Sequence, residues 1–238
     1  MARTLNPVAY AVRRDVFLDA AQALIQTKGY ELLSIQDVLD EVGASKGAFY
    51  HYFDSKAALL EGVVSRMIEG ALASVAPAMA DPNRSAVDKL AAFSSGLATF
   101  KAERKEFLLA LIRVWLSDEN AIVREKFRRG ASSSITPLIA SIIRQGVAEG
   151  SFHVGAVEPA ARVFVALLLG LNEAATDLFL ARQAGAVTLA DVERQFDAYG
   201  EAFERILGAQ PGSVVLGDRG TIREWYGEVA APATGSVA

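Results

Sequence analysis

Between residues 34 and 53 the chain reads Ser-Ile-Gln-Asp-Val-Leu-Asp-Glu-Val-Gly-Ala-Ser-Lys-Gly-Ala-Phe-Tyr-His-Tyr-Phe, and this stretch concentrates side chains suited to meeting a phosphodiester duplex. Lys46 supplies ammonium donors for a guanine edge or a phosphate, while Tyr50 and His51 pair a flat apolar face with a polar tip. Gly47 carries no side chain and lets another backbone or base edge approach closely. Ser34, Ser45 and Lys56 stand at expected helix starts, where unpaired N–H groups and the positive end of the helix dipole attract phosphate oxygens. Tyr52 adds a hydroxyl for the same backbone. These eight residues, Ser34, Ser45, Lys46, Gly47, Tyr50, His51, Tyr52 and Lys56, are the expected DNA contacts, with weaker additions from Arg3, Arg13 and Arg14.

Other chemistries find little support. The 238-residue chain has no cysteine and two histidines, His51 and His153, far apart in sequence, so disulfides, thiolate chemistry and a histidine-based metal site are not expected. No cofactor, metal ligand or catalytic residue is assigned. Gly43-Ala44-Ser45-Lys46-Gly47 matches the G-x-S-x-G pattern of a nucleophile elbow, but an elbow needs a preceding strand. Here the preceding residues have helical period and Ser45 reads as a helix cap, so an enzyme is not expected. His153 follows Gly150-Ser151-Phe152 in a turn and reads as a surface or capping residue.

The elements that must position these residues are helices. Hydrophobic residues make up 52% and charged residues 22%, the balance of a folded globular chain, and apolar positions recur at helical spacing without period-two alternation. The fold is expected to be all-α. A first helix runs from an Asn6 cap and Pro7 to Gly29, with the stripe Phe17, Ala20, Ala21, Leu24 and Ile25. Ser34 caps a second helix that buries Ile35, Val38, Leu39 and Val42, and Gly43 provides the tight turn. Ser45 caps a third helix reaching about Phe53. Such a pair joined by a glycine turn is the pattern of a helix-turn-helix, whose second helix enters a major groove about 12 Å wide. A fourth helix from Lys56 is expected to end near Pro77.

Beyond Asp81-Pro82-Asn83 the helices lengthen and their apolar faces broaden. Helices are expected over about 85–101, 105–116, 120–149 (bent or interrupted at Pro137), 158–182 and 189–207, with one further turn near 221–228. The organisation expected is a DNA-binding domain over 1–60, a ligand-binding and dimerisation domain over 61–208 and a tail over 209–238. Phe93, Phe100, Phe107, Arg113, Trp115, Phe164 and Asn172 are the candidates for an apolar ligand cavity with a few polar groups. Val192, Phe196, Tyr199 and Phe203 form a narrow seam that, with Leu171 and Leu178, is expected to meet a second copy.

Ser34-Ile35-Gln36-Asp37-Val38, then Gly43 through Phe53, then Lys56, Leu59 and Leu60, resemble the tetracycline-repressor (TetR) family over about residues 13 to 60. The resemblance implies an all-α homodimer with a three-helix DNA-binding domain, a connecting helix, an effector cavity and two long C-terminal helices at the dimer interface. Glu41-Val42 departs from the small residues usual at that turn. The expected function is that of a ligand-responsive transcriptional regulator, a repressor released from a palindromic double-stranded DNA operator by a small molecule. The alternative is a ligand-binding or interaction protein whose N-terminal unit does not bind DNA. Residues 1–56 hold six Lys or Arg against seven Asp or Glu, and the whole chain carries a net charge of -4, which favours that alternative. The longest apolar run, near 163–171, is short of the ~20 residues that span a bilayer, so no membrane partner is expected and the location is read as cytoplasmic.

Overall fold

A computed structural model describes residues 7–215 and 219–227, without the side chains of residues 113 and 114. The elements among them are α1 (Pro7–Lys28), α2 (Ile35–Val42), α3 (Lys46–Tyr50), α4 (Lys56–Ala80), α5 (Ala86–Ala102), α6 (Lys105–Leu116), a 3-10 turn (Asp118–Asn120), α7 (Ala121–Glu149), α8 (Val157–Gln183), α9 (Leu189–Leu207) and α10 (Arg219–Tyr226). No strand occurs among the described residues, and the all-α expectation holds. The expected Asn6 cap lies outside them, as does Arg3.

Several boundaries move. α3 stops at Tyr50, with His51 as its cap, rather than running to Phe53. α4 continues to Ala80 with Pro77 inside it, and α7 runs through Pro137. Proline removes one donor, and neither helix ends there. α8 begins at Val157 after Ala156, which leaves Pro159 in the first turn, where helical N–H groups have no partner within the helix.

Two compact units emerge: Met1–Leu72 with Phe100–Ala131, and Ala73–Thr99 with Ser132–Ala238. This division does not follow the boundary expected near residue 60. The reason is in the first unit's core, where Phe107 and Leu111 of α6 and Val123 of α7 join Phe17, Leu18, Val38, Phe49, Phe53 and Leu60 in one buried cluster. Helix α6 packs on α1, so residues expected in the effector domain help to hold up the helix-turn-helix. Arg66 of α4 ties the same unit to α1, donating to Asp19 at 2.6 Å and to Gln22 at 3.1 Å.

In the second unit α8 packs along α9, and α10 lies against both. Phe164 meets Phe203 with ring centres 4.3 Å apart. Gly146 is fitted to Phe152: a Cβ added there would lie 2.1 Å from the ring, so only glycine lets the buried Phe152 fold back on α7. His153 caps, as expected, although its partner is distant in sequence: its N–H donates to Leu207 O at 2.7 Å. Two helices, α4 and α8, are long and apolar enough to cross a membrane by length and composition, which run length alone did not reveal. A helix that packs on other protein passes the same test.

Candidate nucleic-acid interface

Two caps build the reading unit. Ser34 and Asp37 form a reciprocal capping box, with Asp37 N–H donating to Ser34 Oγ at 3.1 Å and Ser34 N–H donating to Asp37 Oδ2 at 2.7 Å. The Ser34 hydroxyl also donates to Asp37 at 2.6 Å, so its proton is already engaged inside the box. Lys28 pairs with Asp37 at 2.6 Å. That ammonium first, and the Ser34 donors second, hold the Asp37 carboxyl far below the usual carboxylate range. α2 ends at Gly43, whose φ of 62° is left-handed and is favoured by the absence of a Cβ. Two residues on, Ser45 caps α3 by accepting from Ala48 N–H at 3.3 Å. Ser45 therefore links two helices, and the strand that a nucleophile elbow requires is replaced by α2.

α3 has five residues, too few to stand alone, and tertiary packing fixes it. Phe49 is fully buried, with its ring edge-on to Phe17 at 5.9 Å. The opposite side is open: Lys46, Gly47, Tyr50 and His51 are exposed, Tyr50 at 45%. A Cβ added at Gly47 would meet nothing within 4 Å, so the chain's own packing does not require glycine there. Tyr52 is half-buried, with its ring 5.6 Å from Phe17.

The remaining expected contacts are differently placed. Lys56 is half-buried; its ammonium sits 4.2 Å from the centre of the Tyr30 ring and donates to Glu31 O at 3.3 Å. Burial lowers its pKa, opposed by the charges of Glu119, Glu31 and Asp37. Arg13 lies over Phe17 at 5.7 Å and Arg14 over Phe53 at 5.4 Å, so both guanidinium groups cover aromatic surface. The acid excess of residues 1–56 is offset by Arg66 from α4, which pairs with Asp19, whereas the Lys28–Asp37 pair removes one charge of each sign.

A sequence model of the family described as bacterial regulatory proteins, tetR family, matches residues 17–63, the span from Phe17 to Val63 that builds this unit. The HTH-type transcriptional regulator EthR of Mycolicibacterium smegmatis is 29% identical over 144 residues, 53% of this chain and 66% of that protein. The HTH-type transcriptional repressor KstR2 of the same organism is 24% identical over 149 residues, 62% of this chain and 71% of that protein. A crystal structure of a putative TetR-family regulator from Rhodococcus sp. is 25% identical, with a TM-score of 0.54 over 83% of this chain and 96% of that one. The family match covers the N-terminal unit, and the chain is similar to TetR-family regulators beyond it. Its alignments span about two thirds of the length of EthR and KstR2. All eight expected DNA contacts fall inside the TetR match, whereas the expected effector and dimer residues fall outside it.

Those outer residues are placed in several different surroundings. Phe107 is buried in the core beneath the helix-turn-helix, and Trp115 packs edge-on against Phe127 at 5.0 Å. Phe93, Phe100 and Phe164 are buried, and Asn172 is half-buried. Phe100, Phe107 and Trp115 belong to the first unit and Phe93, Phe164 and Asn172 to the second; the Arg113 side chain is outside the described residues. An open cavity of about 620 Å³ in the second unit is lined by other residues, among them Arg84, Asp88, Ser95, Thr99 and Thr221. The expected dimer seam packs in part on the chain's own helices. Val192 and Phe203 are fully buried and Leu171 is buried. Leu178 and Phe196 pack with Val192 against Ile222, Trp225 and Tyr226 of α10, and Tyr199 faces Gly170. Sequence periodicity found an apolar face and missed its cover, a short helix after a Gly- and Pro-containing turn.

Proposed function

We propose that this chain is a TetR-family member and a ligand-responsive transcriptional repressor that binds a palindromic operator as a homodimer, each copy setting α3 in a major groove. The observation that carries the reading is the two-sided character of α3: Phe49 anchors it from below, while Lys46, Gly47, Tyr50 and His51 stand together on the exposed side. Lys46 and Ser45 meet the backbone, and Tyr50 and His51 read the groove. The repressor KstR2 among its relatives supports the sign of regulation. A dimer with half-sites about 34 Å apart would match successive major grooves. A small molecule would release it by favouring a geometry in which that spacing is lost.

Because α10 and α8 cover the α9 seam within the chain, the second copy is assigned instead to the apolar residues that α8 leaves exposed, Val163 and Leu180, with Ala166 between them. Fragments of the source genome selected by the protein test the reading. Recovered fragments should share a palindrome, and the combined Lys46→Ala and Tyr50→Ala variant should lose it while remaining folded and dimeric. Undiminished affinity in that variant, or no recovered palindrome, overturns the assignment.

A further inference from the structure

Tyr10 stands apart from its neighbours at the start of α1. Pro7, Val8, Ala9, Ala11, Val12 and Arg13 are exposed, whereas Tyr10 is half-buried. Its ring lies 4.7 Å from Tyr52 and, edge-on, 5.6 Å from His51. His51 and Tyr52 are themselves edge-on at 5.0 Å, so the three rings close a triangle at separations where aromatic quadrupoles attract. One corner is fixed to the core, because Tyr52 also meets Phe17 at 5.6 Å. Another corner is exposed, because His51 caps α3 on the side that carries Lys46 and Tyr50. Without Tyr10, the His51 ring would keep only Tyr52 as an aromatic neighbour among the described residues.

We propose that Tyr10 is a positioning residue for DNA recognition: its ring holds the His51 imidazole in the one orientation from which it meets the duplex, without touching DNA itself. This rests on the operator-binding reading above. A side chain already held loses less conformational freedom on binding than one that must be ordered by the DNA. Tyr10 therefore acts on affinity through His51, and its contribution disappears when His51 is absent.

The test is a double-mutant cycle on the palindromic duplex selected by the wild-type protein, read by fluorescence anisotropy with melting temperatures measured in parallel. Tyr10→Ala should weaken binding about tenfold for a dimer, taking about threefold per copy for one lost aromatic pair. Tyr10→Phe, which keeps the ring, should restore near wild-type affinity. In a His51→Ala background Tyr10→Ala should cost no further affinity, although it should still lower the melting temperature through the lost Tyr52 contact, by less than in the wild-type background. Equal affinity losses with and without His51, or wild-type affinity in Tyr10→Ala, overturn the positioning role. A wild-type protein that selects no duplex overturns the operator reading and this role with it.

Discussion

Of the lysines of the first 60 residues, Lys28, Lys46 and Lys56, Lys28 pairs with Asp37 and Lys56 is engaged by Tyr30 and Glu31. Lys46 is exposed, and no ion pair to it occurs among the described residues. It is the lysine free to displace a counterion from DNA. Each neutralised phosphate contributes about 0.9 to the slope of log affinity against log salt, so the two copies of Lys46→Ala should flatten that slope by about 1.8. Between 50 and 200 mM salt this corresponds to about twelvefold: the defect of the variant should be about twelve times larger at the lower concentration. Lys56→Ala should leave the slope nearly intact and cost about 0.5–1 kcal/mol of stability through the lost cation–π contact. Anisotropy titrations over that salt range, with urea unfolding of each variant, measure both quantities. If Lys56→Ala flattens the slope and Lys46→Ala does not, the assignment of the free ammonium is wrong. An unchanged slope with relaxed preference at one base pair would put Lys46 on a base edge and refute the phosphate contact.

Two further outcomes follow from local geometry. The carboxyl of Asp37 is held below its ordinary range by Lys28 and Ser34. Its contribution to stability is therefore complete above the unfolded value near 4 and lost as pH falls towards the folded value. Asp37→Asn should give a shallower fall in urea midpoint on acidification than wild type, and an identical fall would refute the box as its source; Ser34→Ala at neutral pH should cost about 1 kcal/mol. Gly146→Ala places a Cβ 2.1 Å from the Phe152 ring, an overpacking expected to cost about 1–3 kcal/mol, and a variant as stable as wild type would show that Phe152 can be buried in another way.

What could be read from the sequence and what could not differ in the range of the interactions involved. Ser34, Gly43 and Ser45 act on residues at most five positions away, so the helix-turn-helix, its caps and its exposed side were legible from spacing alone. The second set of readings depended on packing partners distant in the chain. Phe107 has the same apolar character whether it lines a cavity or supports α1, and only the packing of α6 on α1 decides for support. The face of α9 carried the same ambiguity, since a seam at 4, 3 spacing calls for a helix and does not specify whose. Arg219, paired with Asp197 at 2.9 Å, and the Tyr226 hydroxyl, donating to Ala175 O at 3.0 Å, show how α10 answers that call. Charge and apolarity mislead when counted by segment. Lys56 counted as a DNA-facing cation and Val192 as an interface residue, yet each is engaged by its own chain. The residues left exposed on α3 are then the stronger functional signal: Tyr50 is held edge-on to Phe49 yet stays open to solvent, Lys46 has no ion pair among the described residues, and Gly47 has open space around it, all on one short helix.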